Sequence, residues 1–328
     1  MNSQTALEQV KDRIRVLHYS YATEKTYLHW CWRYIQFQRG GKLSGRDAVI
    51  RFVSHLATVE HISSSTQNQA LAAVKFLYQT IGIDIGNMNN LRAKKEQHIP
   101  AVLTKDETFR LIENMTGVYC IMAEIMYGGG LRLNECLTLR IKDLDLEHGN
   151  ITLHDTKSNR DRMTLLSQSV APALILHLKK VRAIWEEDIA SGKGDVEMPY
   201  ALAKKYPKAA YEWGWQYVFP AAGFSTDPRT GRIGRHHIYE TSIQRAVKVA
   251  ARKAGINKLV GCHTLRHSFA TNLLEDGVNI RVIQDLLGHK KLETTMLYTH
   301  VQDISTIVSP LDRMPIALPI IRRVSVES

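Results

Sequence analysis

Six side chains of types that do chemistry stand in an ordered series through the later part of the sequence: Arg132 behind the glycine triplet in GGGLRLNE, Lys157 in TKSNRDR, His263 and Arg266 three apart in HTLRH, His289 in LLGHK, and Tyr298 in LETTMLYTH. Guanidinium never deprotonates and presents fixed donors that match phosphate oxygens in pairs, so Arg132 and Arg266 can form a charge clamp. Imidazole titrates near neutrality and serves as a general base, whereas a phenol ionises only near pH ~10 and needs such help to become a nucleophile. Glu135 follows Arg132 by one helical turn, where an acid can orient a basic cluster. Plainer readings stand beside these. A single arginine on a helix is commonly a surface charge. His263 and His267 have the spacing of zinc ligands on one helix turn, but no carboxylate or thiolate completes a tetrahedral set. Asp143 and Asp145 in DLDLEH have the chemistry to hold magnesium for a nuclease, yet the stretch runs into a glycine turn and reads more simply as a solvated loop. No metal or other cofactor is expected.

Charge narrows the partner. The 328 residues carry a formal net charge of +11, and lysine and arginine that neutralise a polyanion gain free energy by counterion release. Nucleic acid is favoured over an anionic membrane, since no apolar run approaches the roughly 20 residues that span a bilayer. The opening MNSQTALEQVKDRIRV reads as a polar helix rather than a signal peptide, which implies a cytoplasmic protein without a membrane partner. The four cysteines, Cys31, Cys120, Cys136 and Cys262, are scattered without CxxC pairing and read as reduced, buried thiols.

The elements that must position the polar series follow from periodicity. Residues 1–84 read as a helical bundle, with helices starting after Thr23, Ser44 and Ser64/Ser65 and the last stopping at Gly82. Residues 85–101 lose the helical period, gain asparagine and basic residues, and read as an extended cationic linker that would let two domains clamp around a ligand. Residues 102–328 open with the capping box TKDE, Thr104 to Glu107, and a helix running to Gly128–Gly130. LRLNECLTL is helical, and Ile151, Leu153, Met163 and Leu165 alternate as two strands around a polar hairpin tip. From His263 to His300 three short amphipathic helices are expected, with Gly277 and Gly288 as stops. The fold class is mainly α with a small β-sheet in the second domain.

In this order the polar series resembles the signature of tyrosine recombinases: an early arginine, a hairpin lysine, H-x-x-R, a late L-G-H, and a tyrosine nine residues after that histidine. The resemblance implies a core-binding bundle, a catalytic domain, and DNA strand exchange through a 3′-phosphotyrosine bond, with neither metal nor ATP. Tyr298 would be the nucleophile, His263 its general base and Arg132 with Arg266 the transition-state clamp. His289 would hold a phosphate oxygen, Lys157 would protonate the leaving 5′ oxygen, and Glu135 would support the arginines. The hairpin TKSNRDR lacks the glycines that usually flank the family lysine, so Arg160 and Arg162 are nearby alternatives in charge, though not in acid strength.

An aromatic-rich stretch at about 196–237, including LAKKYPKAAYEWGWQYVFP and DPRTGRIGRHH, resembles the extra segment of integron integrases. That implies cassette recombination on folded single-stranded as well as duplex sites, with Trp215, Pro228, His236 and His237 gripping extrahelical bases, and a homotetramer on DNA. Lys204, Lys205 and Lys208 would face the backbone, and exposed rings can stack on unpaired bases. The alternatives are a generic tyrosine recombinase on duplex sites, a relaxing enzyme with type IB topoisomerase chemistry, a metal-dependent nuclease, and a non-catalytic helix-turn-helix regulator, which has no use for the full polar series.

Overall fold

The computed structural model describes residues 3–39, 45–94, 101–154, 161–198, 200–288 and 308–313. The chain divides into two compact units, Met1–Ile99 and Pro100–Ser328. The first holds α1 (Ser3–Val16), α2 (Tyr21–Gln38), α3 (Arg46–Thr58) and α4 (Ser64–Thr80). Their apolar stripes, such as Val49, Phe52, Val53 and Leu56 at helical spacing on α3, close on one core with Ile14, Tyr34, Val74 and Leu77. Two helices begin earlier than their sequence suggests. Ser20 rather than Thr23 caps α2, its hydroxyl accepting the Thr23 N–H at 3.2 Å, and Ser63 caps α4 by accepting from Thr66 at 3.3 Å. Each cap occupies an N–H that has no partner within the helix.

The second unit opens on α5 (Lys105–Glu113). The expected capping box is present: the Glu107 N–H donates to Thr104 Oγ1 at 3.1 Å and the Thr104 N–H to Glu107 Oε2 at 2.9 Å. The helix then stops instead of running to the glycine triplet, and α6 (Gly117–Gly128) starts anew from Gly117 at φ 59°. From Cys120 to Gly128 every residue of α6 is buried, with α5, α7, α10 and α11 packed around it. Apart from the buried Glu124 the helix is apolar on all sides, which places it at the centre of the core.

α7 (Leu133–Leu137) leads to a three-stranded antiparallel sheet of β1 (Leu144–Asp145), β2 (Asn150–Leu153) and β3 (Arg162–Leu165), in which Ile151 faces Thr164 and Leu153 faces Arg162. Ile151, Leu153 and Leu165 lie in the core as expected, but Met163 on β3 does not. Met163 is 47% exposed, while Thr164 is buried and donates to the Gly129 carbonyl at 2.6 Å. Arg162 and Thr164 turn inward in its place, because the surface beneath them offers polar acceptors rather than hydrocarbon.

The chain continues through α8 (Ala171–Ala190), α9 (Tyr200–Lys205), the short antiparallel pair β4 (Ser225–Thr226) and β5 (Ile233–Gly234), α10 (Glu240–Lys253), α11 (Cys262–Glu275) and α12 (Ile280–Leu287). Gly277 and Gly288 have φ of 80° and 63° and end α11 and α12, as their positions imply. The third helix expected before His300 falls outside the described residues. Past it, Val308–Arg313 lies on the second unit: Leu311 is in its core, Ser309 Oγ donates to the Gly128 carbonyl at 2.8 Å, and Asp312 accepts the Ser169 N–H at 2.9 Å. The fold is mainly helical with small sheets. All four cysteines are free and buried, and no described helix is long and apolar enough to cross a membrane.

Candidate active site and nucleic-acid interface

Gly130, at φ 64°, turns the chain out of α6, and an added Cβ there would stand 2.5 Å from the Phe269 ring. The turn places Arg132 at the N-cap of α7 and Glu135 in its first turn. Glu135 Oε2 accepts the Arg132 N–H at 2.7 Å, and Oε1 accepts from Arg132 Nη1 at 2.5 Å. A second guanidinium meets the same carboxylate: Arg162 from β3 donates through Nη1 and Nη2 at 2.9 and 2.7 Å. Arg266, on α11, is buried and lies 3.6 Å from Glu135, but hydrogen-bonds through Nη1 to the Gly130 carbonyl and through Nη2 to the Leu287 carbonyl, both at 2.6 Å.

One carboxylate therefore gathers three guanidiniums from α7, β3 and α11. Burial alone would push the Glu135 carboxyl up, but Arg162, by hydrogen bonding and charge, and then Arg132 outweigh it and hold it down at about 2. Glu135 is anionic at any working pH. Arg132 keeps 35% of its side chain exposed, against 9% for Arg162 and 6% for Arg266, so it is the most open edge of a concentrated positive charge. Such a cluster, held rigid before a ligand arrives, can stabilise an anion that gains charge during reaction.

His263 and His267 both lie on the exposed side of α11, on either side of the buried Arg266. Partial burial, then the charges of His263 and Arg266, lower the His267 imidazole below its ordinary value. Lys157, His289 and Tyr298 lie outside the described residues, as does Arg160. The described flanks are β3 after the hairpin and α12 with Gly288 immediately before His289.

The aromatic stretch builds a small core of its own from Val196, Met198, Ala209, Ala210 and Tyr217, with Trp215 against it. Tyr217–Pro220 runs between two neighbours, pairing Tyr217 with Arg140 on one side and Pro220 with His237 on the other. Burial pushes the Tyr217 phenol up to about 12. The His236 and His237 rings stand 4.0 Å apart and each 5.4 Å from the Tyr217 ring, so three of the rings form one cluster. His236 bonds Glu197 at 3.1 Å; His237 is turned inward, its Nδ1 2.8 Å from the Ile238 carbonyl, and burial lowers its imidazole to about 4. Trp215 lies beneath Lys142, whose ammonium is 4.5 Å from the ring centroid. Pro228 is exposed in the turn joining β4 to β5, where Asp227 Oδ1 accepts the Arg229 and Thr230 N–H groups. Lys204, Lys205 and Lys208 are exposed.

Two features escaped the sequence reading. Arg140 anchors the aromatic stretch, donating to the Trp215 and Glu197 carbonyls at 2.7 Å with its guanidinium carbon 3.9 Å from the Tyr217 ring centroid. Arg140 lies far from the aromatic-rich segment in sequence, so no local signal points to this cation–π contact. The DLDLEH stretch is not wholly a solvated loop: Asp145 is exposed on β1, but Asp143 is buried, accepting the Arg140 N–H at 3.0 Å and pairing with Lys142 at 2.9 Å. Its charge is committed to the fold. Among the described residues no group of three acids, histidines or cysteines could hold a metal ion.

Residues 101–304 match the Phage integrase family, and residues 6–84 match the N-terminal SAM-like domain of phage integrases. An integrase/recombinase of Escherichia coli is 43% identical over 321 residues, covering 96% of this chain and 95% of its own length. Tyrosine recombinase XerA of Thermococcus kodakarensis is 28% identical, covering 85% of this chain and 84% of its own. The fold is shared with XerH site-specific recombinase bound to its difH substrate, at TM-score 0.54 and 20% identity over 90% of this chain and 80% of that one. A helical SAM-like unit, a mostly helical second unit built around an arginine cluster, and relatives of this kind along almost the whole chain lead to one conclusion: this protein belongs to the Phage integrase family and is an enzyme of the tyrosine site-specific recombinase class.

Proposed function

We propose that this enzyme is a recombinase of the integron integrase type, which integrates and excises gene cassettes by cutting and rejoining DNA at duplex and folded single-stranded sites. The observation that carries the chemical part is the Glu135-centred cluster, in which Arg132 and Arg266 are fixed by short hydrogen bonds before any phosphate arrives. Two proteins of similar fold, XerH bound to its difH substrate and λ integrase bound to a core site, support DNA as the partner. The λ integrase tetramer bound to a Holliday junction supports assembly of four copies on paired sites.

In this mechanism the residue 1–84 bundle and the residue 102–328 domain, joined by the 85–101 linker, both engage the DNA. His263 takes the Tyr298 phenol proton, and the phenolate oxygen attacks the scissile phosphorus. As that bond forms, the bond from phosphorus to the 5′ oxygen breaks, and Lys157 supplies the proton to the leaving hydroxyl. Arg132 and Arg266 bind the non-bridging oxygens as negative charge grows on them, with His289 holding a further oxygen. The 3′-phosphotyrosine retains the energy of the original linkage, so a 5′ hydroxyl from another strand reverses the steps and rejoins it. The tight cluster of Tyr217, His236 and His237, with Trp215 and Pro228 on the same insertion, supports a grip on extrahelical bases.

The test is trapping on a nicked suicide substrate in EDTA. The expected result is a covalent protein–DNA complex with wild type, none with Tyr298→Phe, and DNA binding within a few-fold of wild type for the variant. A covalent complex formed by Tyr298→Phe would mean that another tyrosine is the nucleophile. Cleavage that needs a divalent cation and leaves no covalent complex would remove the reading altogether.

A further inference from the structure

Arg162 is poorly placed to reach a ligand, since its side chain is 9% exposed and its three nitrogens already donate to Glu135 and to the backbone. Its Nη atoms hold both Glu135 oxygens, its Nε donates to the Leu286 carbonyl at 2.9 Å, and its stem lies against Gly288 so closely that a Cβ there would be 2.9 Å from Arg162 Cδ. It thus joins β3, which leaves the hairpin bearing Lys157, to Glu135 on α7 and to the end of α12 just before His289.

We propose that Arg162 is a positioning residue for the recombination chemistry: it neutralises Glu135, so that Arg132 and Arg266 are oriented by that carboxylate without surrendering their charge to it. The electrostatics follow from counting the named groups. Three guanidiniums against one carboxylate leave two positive charges for the phosphate; without Arg162, Glu135 draws on Arg132 and Arg266 alone and only one net charge is left. In a site where both groups of a pair are nearly buried, the difference is little screened by water. The carboxyl's low pKa agrees with Arg162 as its main ionic partner. A hairpin lysine substitute, by contrast, would need a free head group, and each of the three Arg162 nitrogens already donates to Glu135 or to the Leu286 carbonyl.

The inference rests on the recombinase chemistry proposed above, and single-turnover cleavage on saturating suicide DNA separates the two. Wild type must form the covalent complex; if it does not, the mechanism fails before Arg162 is in question. Given wild-type cleavage, Arg162→Met, which keeps an apolar stem against Gly288, is expected to slow cleavage by about 10- to 100-fold, less than loss of a donor that touches the transition state. DNA affinity at fixed salt should change by less than about three-fold, because phosphate contacts in the ground state are many. The decisive readout is recovery: adding Glu135→Gln to Arg162→Met removes the unneutralised carboxylate and should restore cleavage by at least about five-fold over Arg162→Met alone. A merely structural arginine predicts the reverse, since the second substitution would loosen the cluster further. Arg162→Lys, which preserves the charge without the fork, should cleave within about ten-fold of wild type and stands in if Arg162→Met does not fold. Unchanged cleavage in Arg162→Met, no recovery in the double variant, or Arg162→Lys as slow as Arg162→Met would each overturn the proposal.

Discussion

Glu135→Gln should lower the stability of the catalytic unit by an amount that depends on pH in a defined way. The substitution keeps the shape, deletes the charge that Arg132, Arg162 and Arg266 share, and turns one of the two accepting oxygens into an amide donor. The carboxyl is held from its ordinary 4.5 down to about 2. At roughly 1.4 kcal/mol per pH unit, that preference for the anion is worth about 3 kcal/mol at pH 7. Glu135 is only 12% exposed, so little of this is lost to solvent screening. Because the folded pKa is depressed, the contribution is complete above the unfolded value near 4.5 and is lost as pH falls toward about 2. At pH 3 about 1.4 kcal/mol should remain. Urea unfolding of the full chain at pH 7, 5 and 3 gives the global difference, and hydrogen exchange resolved by peptide mass spectrometry gives the local one in α7, β3 and α11. A difference below about 0.5 kcal/mol at pH 7, within the range of an ordinary surface substitution, would refute the claim that these guanidiniums depend on the carboxylate. So would a difference that does not shrink between pH 5 and pH 3.

Arg132→Ala or Arg266→Ala should slow single-turnover cleavage of saturated suicide DNA by at least about 100-fold, the scale of losing one preorganised transition-state donor; weaker binding with unchanged cleavage would contradict the clamp. Gly130→Ala should cost about 2–5 kcal/mol in unfolding experiments, combining a left-handed backbone with a Cβ driven into the Phe269 ring, and a thermal midpoint equal to wild type would show that the turn relaxes freely. Replacing His236 and His237 together by alanine should weaken binding to a folded hairpin with extrahelical bases, since stacking is worth on the order of 1–3 kcal/mol per base, and should spare a fully paired duplex of the same arms. Equal losses in gel shifts at one salt concentration would assign the pair to general scaffolding.

Elements set by local apolar periodicity and backbone sterics were mostly legible from sequence, and buried polar partnerships between distant residues mostly were not. The stripe of α3, the capping box of α5 and the glycine stops of α11 and α12 follow from local periodicity and backbone sterics, which act within a few residues. β3 was misread because hydropathy assigns Met163 to the interior, whereas Arg162 and Thr164 find Glu135 and the Gly129 carbonyl there. Those partners are 27 and 35 residues away in sequence, and nothing local announces them. The same holds for Asp143, which looks solvated beside Asp145 until Arg140 and Lys142 close on it. In the candidate site, residue types and order pointed to Arg132, Glu135 and Arg266 as one constellation, and the fold brings these three together. Arg140 went unnoticed because its role exists only once Tyr217 pairs beside it.

The acceptors that hold Arg266 also bear on how the enzyme tolerates sequence drift. Two of its hydrogen bonds end on the carbonyls of Gly130 and Leu287 rather than on side chains. A carbonyl is present whatever amino acid is encoded there, so no missense change can delete either acceptor outright; it can only redirect the backbone that carries it. Codon 287 is then free to drift among residues of leucine-like volume, since its side chain is judged by packing alone. Codon 130 has no such latitude, because its backbone angle and the ring beside it admit only glycine. Lineages of this enzyme should therefore record the same guanidinium tether as a fixed residue at one end and a variable one at the other.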